Sequence, residues 1–409
     1  RPRVDPLWIT LFGRGSVRIG GKCKILDWTP SLLNHEVLVP TFQGVDDFKK
    51  RYSDLVPTDS GLKKQGELWL ASRERAKYDG ITFEAGGPYV IGVKTEGVPT
   101  VMLNIWRGWG VKPQRGVWRR LREHIGEVLA DGNAEADEYI LNWTAAGYQR
   151  PGRKRGVAIV FMGGEGVGKG TYGHVVRRTY GSHGLYISQP SQLTGKFNRH
   201  LWTVCFVFAD EAFFAGDRVG EGVLKSLITD PSMMVEPKGV DSFLVPNCLD
   251  LMMASNDKWV VPVGDHGRRF AVFAVNPRWG KNHCSDGERN AYFKALYEEV
   301  NNGGVEAMMW DLAQRDLDGW HAEAFPVTAA LIKQKQQTLR GFDKALESWL
   351  QTGVLPRNKK WSGRPDCATT AAMMDQIKKL RGCEYETDSA FENLPPRVQS
   401  SRWDADRRH

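Results

Sequence analysis

The residues best suited to chemistry lie in "GGEGVGKGTYG", Gly163 to Gly173. Gly163, Gly164, Glu165, Gly166, Val167, Gly168 and Lys169 nearly complete the phosphate-loop pattern G-x-x-x-x-G-K-[ST]. In that pattern backbone N–H groups cradle an anion and the lysine reaches the β- and γ-phosphates of a nucleotide such as ATP. Gly170 stands where the pattern has a hydroxyl for magnesium, but Thr171 follows at once and can contact a phosphate from the first helical turn. Mg²⁺ keeps several waters, so phosphates and acidic residues across the site can hold it. Asp210 and Glu211, 41 residues beyond Lys169 at the end of "WTVCFVFADEA", are the candidates for that metal site. Asp210 is expected to hold water-coordinated Mg²⁺, and Glu211 to polarise the attacking water. The plainer role for such a pair is a helix N-cap with an acidic first turn.

Asn256 ends the run "CLDLMMASN", where an amide can hydrogen-bond the attacking water or the γ-phosphate, or simply make a turn. Twelve residues on, "GDHGRRF" carries Arg268 and Arg269. An arginine there can reach into a neighbouring subunit's site and stabilise transition-state charge, or lie solvated on the surface.

These side chains converge only if the strands before them end together. "GVAIVFM", "WTVCFVFA", "CLDLMMAS" and "FAVFAV" are short, unbroken apolar runs between helical segments, which predicts an α/β core: a parallel sheet with helices on both faces. The acid-bearing strand is expected beside the phosphate strand, where ligands bind in open α/β sheets. Ahead of this core, glycine, proline, tryptophan and β-type runs ("LWITLF", "EVLVPTF", "YVIGV", "TVMLNIW") predict a small β-containing domain over 1–112. Helical spacing across an Asp-Gly-Asn turn predicts a helical pair within 113–150. The core is expected over 151–280, and a helical C-terminal region with a polar tail over 281–409.

Composition narrows the class. At 409 residues the chain suits two or three domains. Its first residue, Arg1, suggests a fragment or a processed chain. The net charge of +8 suits either a solvated basic surface or phosphate-rich partners. Six cysteines without a C-x-x-C pair argue against a zinc site or disulfide scaffold and for a reducing compartment. With no signal pattern and no apolar run of membrane-spanning length, the expectation is a soluble, intracellular protein without a membrane partner.

The order Lys169, Asp210/Glu211, Asn256, Arg268/Arg269 resembles the superfamily 3 helicases, a branch of the AAA+ ATPases in viruses and mobile elements. It looks most like the helicase half of phage and plasmid primase-helicases, the group that includes the poxvirus-type enzymes. That group often reads G-x-G-K-G-T, so Gly170 is ordinary within it. The resemblance covers roughly residues 10–350 and is specific between 155 and 275; it does not place the last sixty residues. It implies an AAA+ core with a helical collar over 115–147 and a hexameric ring. It also implies 3′ to 5′ travel on single-stranded or forked DNA, and a cytoplasmic setting in a bacterial host if phage-encoded. A hairpin carrying Lys238 and Gly239 at its turn, in "VEPKGVDSFLVPN", would then grip DNA in the ring's pore. A basic residue ahead of the phosphate strand, Arg155 with Lys154 as second choice, would act as a further cation at a neighbour's ATP site. The group's primase has no counterpart before residue 112, although a longer parent chain could carry one. Two alternatives stand beside the helicase: an ATP-gated DNA-binding or loading ring with negligible unwinding, and a nucleoside monophosphate kinase, whose loop also reads G-K-G-T.

Overall fold

The computed structural model describes residues 15–339, apart from 20, 31–37, 59, 96, 212–217, 237–241, 257–259 and 262–266. The chain divides into two units, Arg1–Asp257 with Arg268–Pro326, and Lys258–Gly267 with Val327–His409.

The first unit is built on five parallel strands: β1 (Ala158–Met162), β2 (Gly184–Ile187), β3 (Phe206–Asp210), β4 (Asp250–Ser255) and β5 (Phe270–Ala274). Their order is β2-β3-β4-β1-β5. Ala158 to Phe161 are wholly buried, as a central strand covered on both faces requires. The α/β core is therefore as the apolar runs predict. One expectation is corrected. The acid strand β3 is not beside the phosphate strand β1, because β4 lies between them, pairing Met162 with Ser255 on one side and Asp210 with Ala254 on the other. That register brings three strand ends level, and Asn256 leaves the sheet between the phosphate loop and the acids.

The helices that matter are α1 (Arg119–Glu123), α2 (Ala134–Gln149), α3 (Lys169–Tyr180), α4 (Asp286–Glu299) and α5 (Val305–Ala313). α1 runs directly into a π-helical turn, His124–Leu129, a feature that often marks functional sites. Asp131 and Gly132 then adopt positive φ, and the Asn133 side chain caps α2 by accepting from Ala136 N–H. α2 is part of the core rather than a surface attachment: Trp143 is fully buried and its Nε1 donates to the Val157 carbonyl. α3 packs against β3 at Gly173, where a Cβ would fall 2.2 Å from the Phe208 ring. α4 opens on a capping box between Ser285 and Glu288.

The N-terminal part of this unit is β-rich. Gly15–Ile19, Lys22–Pro30, Leu38–Gly44 and Ala76–Tyr78 make one sheet, and Gly80–Thr82, Val90–Thr95 and Val98–Asn104 another. The run "LWITLF" lies outside the described residues. Val17, Leu26, Phe83 and Leu103 join the same hydrophobic cluster as the five-stranded sheet, while Ile25, Phe48 and Trp69 form a small cluster of their own. In the second unit, helix Ala329–Thr338 is capped by Thr328, and Gln334 Oε1 accepts from the Val260 and Val261 amides. No described helix is long and apolar enough to cross a membrane.

Two imidazoles are buried neutral. His183 Nδ1 donates to the Thr203 carbonyl while its Nε2 accepts from Arg107 N–H; His124 lies against the phosphate loop. Burial pushes both down to about 4 from an ordinary 6.5. The unfolded chain therefore binds more protons than the folded one between these values, so stability from this source is complete above pH 6.5 and falls as pH drops towards 4. Thermal midpoints measured against pH should be level above about 6.5 and decline below it. A midpoint unchanged down to pH 4.5 would contradict the two burials.

Candidate nucleotide site

The loop from β1 to α3 begins where Gly163 N–H donates to the Ser255 carbonyl and ends at Gly168, the N-cap of α3. Gly166 and Gly168 have φ of 76° and 99°, which glycine adopts without steric cost. At Gly168 a Cβ would also strike the His124 ring at 2.5 Å. Val167 is buried and anchors the loop in the core, while exposed Glu165 pairs with Lys281 at 3.3 Å. Thr171 N–H donates to the Gly168 carbonyl at 3.1 Å, which leaves the Lys169 and Gly170 N–H groups at the start of α3 for an anion.

Lys169 is 7% exposed. Its Nζ lies 2.5 Å from Asn256 Oδ1, 3.2 Å from the Gly164 carbonyl and 3.7 Å from Glu211 Oε1. Glu211, one residue beyond β3, sits in the left-handed region at φ 52°, uncommon for a non-glycine residue and a conformation that clusters at working sites. Its carboxylate accepts from Ser255 Oγ at 3.0 Å and from Asn256 N–H at 2.8 Å. Asp210 is half-buried beside it. Burial, then the neighbouring Glu211 charge, pushes the Asp210 carboxyl up, while Lys169 and His174 pull it down.

A cleft of about 500 Å³ joins these groups. Glu165, Gly166, Gly168, Lys169, Gly170, Thr171, Asp210, Glu211 and Asn256, all singled out by sequence, line it. Its opposite wall comes from residues that sequence reasoning missed: Arg289, Asn290, Phe293 and Tyr297 of α4. Thr171 Oγ1 and Tyr297 OH are 3.2 Å apart. Arg289 pairs through Nη2 with Asp286, but its buried Nη1 has no hydrogen-bond partner, so a guanidinium donor is free within the wall. The spacing of Arg289, Phe293 and Tyr297, one helical face, is visible in the sequence, but nothing there says that this face meets the loop.

The remaining candidates lie elsewhere. Arg268 is exposed and Arg269 half-buried, at the N-terminal end of β5, where Ala158 N–H donates to the Arg269 carbonyl. That is the end of the sheet opposite the cleft, so neither reaches the site of its own chain. Arg155 is corrected: it is buried inside the unit, 2.8 Å from Asp250 and stacked over Trp143 at 3.6 Å. A cation so enclosed cannot serve a neighbour's site; the counter-ion on β4 draws it inward. Lys154, the second choice, is also turned in, with Nζ on the Leu227 and Leu249 carbonyls. Burial lowers its pKa to about 8.

The anticipated hairpin is present as Ser232–Val235 paired antiparallel with Phe243–Pro246. Lys238 and Gly239, expected at its turn, lie outside the described residues. The end of the strand pair nearest the turn is held by Asn198, which donates to the Met234 carbonyl and accepts from Glu236 N–H, and by Trp202 against Phe243. Next to Asn198 stands Phe197, 56% exposed between exposed Lys196 and Arg199. That basic and aromatic alternation suits single-stranded nucleic acid.

Residues 161–269 match a family described only as a family of unknown function, DUF5906. Over 152 residues the chain is 29% identical to the DNA primase-polymerase of Nitratiruptor phage NrS-1, which is 36% of this chain and 21% of that protein. The chain thus spans about a fifth of the length of that curated relative. The apo structure of the NrS-1 C-terminal region superposes with a TM-score of 0.63 at 20% identity, covering 86% of this chain and 81% of that one. A second apo form gives 0.62 over the same shares. The two share a fold across most of this chain.

Among the described residues no group of three or more His, Cys, Asp or Glu could hold a metal by itself. Asp210 Oδ2 lies 3.8 Å from the position a Cβ would take on Gly170. A divalent cation here would therefore draw on Asp210, phosphate oxygens and water, a donor set that fits Mg²⁺.

Proposed function

We propose that this chain is the motor part of an ATP-driven, ring-forming DNA helicase of the superfamily 3 kind, working in phage or mobile-element replication. The observation that carries the proposal is the convergence of Lys169, Asp210, Glu211 and Asn256 on one cleft at level strand ends. Lys169 and the first-turn amides bind the phosphates, and Asp210 holds Mg²⁺, which would shield charge on the transferred phosphoryl group. Glu211 takes the proton of the attacking water, and Asn256, between Lys169 and Glu211, responds to the γ-phosphate. Arg268 or Arg269 of the next subunit completes the site, and the Lys238 hairpin draws one DNA strand 3′ to 5′ through a hexamer.

Strand displacement on forked DNA tests this directly. The expected result is ATP-dependent unwinding that Lys238→Ala abolishes while much of the basal ATP hydrolysis remains. DNA-stimulated hydrolysis that survives Lys238→Ala would remove the hairpin from the mechanism. Hydrolysis without displacement would favour a loading ring, and phosphoryl transfer to a nucleoside monophosphate would favour a kinase.

Gly170→Ser provides a finer test. A Cβ at Gly170 meets nothing closer than 3.8 Å, so serine fits without displacing Asp210. ATP turnover should stay within about threefold of the parent protein across a Mg²⁺ titration; inactivation would mean that the missing hydroxyl is part of the design.

A further inference from the structure

His124 belongs to no chemical motif and to none of the strand ends that carry Asp210, Glu211 and Asn256, yet it is wholly buried against the phosphate loop. Its Nε2 lies 3.0 Å from the Gly168 carbonyl and its Nδ1 2.8 Å from Tyr292 OH. A carbonyl only accepts, so Nε2 carries the proton; Nδ1 then offers a lone pair, and the tyrosine hydroxyl donates to it. One neutral tautomer satisfies both neighbours. Tyr292 is itself fixed by stacking on Trp279 at 4.1 Å. Seven residues on, Glu299 of the same helix accepts from Arg120 and Leu121 N–H and so caps α1. The helix carrying His124 and the helix carrying Tyr292 are thus clasped at two points, which sets the imidazole against the loop.

The Gly168 carbonyl shares a planar trans peptide with Lys169 N–H, and the two point in opposite directions. Gly168, at φ 99° and ψ 8°, has no Cβ to restrain its side of that peptide; its carbonyl accepts from Thr171 N–H at 3.1 Å on the helix side and from His124 on the other, so the imidazole adds a second hold to the one α3 supplies. Turned over, the peptide would present an oxygen instead of an N–H to an anion in the cleft. We propose that His124 is a positioning residue of the phosphate loop: held in its Nε2–H tautomer by Tyr292, it grips the Gly168 carbonyl and keeps the Lys169 amide facing the nucleotide phosphates. This rests on the nucleotide-site reading above.

The plain alternative is a buried histidine that merely fills its space. His124→Phe preserves the ring and removes both hydrogen bonds, and Tyr292→Phe removes only the hydroxyl that sets the tautomer. Both are compared with the parent protein and with Lys169→Ala by equilibrium binding of a fluorescent ATP analogue, steady-state hydrolysis and imidazole ¹⁵N spectra. The parent should show one Nε2–H tautomer for His124, and Tyr292→Phe should show a mixture with several-fold weaker binding. His124→Phe should weaken binding roughly tenfold, as for loss of one well-placed hydrogen bond to an anion, with KM raised more than kcat is lowered. A space-filling role would leave binding unchanged in both variants. If His124→Phe does not fold, Tyr292→Phe decides alone. Unaltered affinity in these variants beside lost affinity in Lys169→Ala overturns this proposal alone; no binding by the parent protein overturns the nucleotide reading and this proposal with it.

Discussion

Lys169→Ala should lower ATP turnover by roughly 10²–10³-fold, the scale seen when one preorganised charge is removed from a transition state. Lys169 is enclosed, with its ammonium fixed among the Gly164 carbonyl, Asn256 and Glu211. Among the described residues lining the cleft, it and Arg289 on the far wall are the only lysine or arginine side chains. Removing it leaves the Glu211 carboxylate facing the phosphates without a cation between them, so both binding and the chemical step suffer. Phosphate release under saturating ATP, with thermal unfolding as a check on folding, measures the effect. A variant that keeps more than about a tenth of its turnover would show that the loop is not the catalytic phosphate site.

Loss of the trans arginine should cost still more, roughly 10³-fold or beyond. Arg268 and Arg269 stand at the sheet end away from their own cleft, so they can act only across a subunit boundary. Whichever of Arg268→Ala and Arg269→Ala is the inactive one should still bind ATP. Mixing it with Lys169→Ala should then restore turnover, because an intact lysine from one variant meets an intact arginine from the other. In a head-to-tail ring assembled at random from equal amounts, about a quarter of the boundaries would be complete. No recovery on mixing, with assembly confirmed, would place the arginines outside the reaction.

Much of this site was legible in the sequence, because phosphate loops and acid-tipped apolar strands are local patterns. The loop, Asp210, Glu211 and Asn256 need only a strand before them and a level register, and both are found. The strand order was not legible: an unbroken apolar run reveals burial but not which buried strand is the neighbour, and β4 took the place assigned to β3. Arg155 was expected at a neighbour's site because nothing local shows that its partner, Asp250, 95 residues away, holds it inside. His124 and the α4 wall were invisible for the same reason, since their contacts with the loop span 44 residues for His124 and 126 for Tyr297. The π-helical turn that carries His124 leaves no signature in a helical periodicity.

The pairing of Lys169 with Glu211 and Asn256 has a consequence for which anions this cleft will accept. A tethered carboxylate beside the lysine is an intramolecular competitor at high effective concentration. A small, weakly held anion such as inorganic phosphate must contend with it using one point of attachment. A polyphosphate chain engages the loop amides and the ammonium together and can displace it. If the cleft takes a nucleotide as proposed, it would therefore favour polyphosphates over single phosphates, and the same displacement would free Glu211 to meet water.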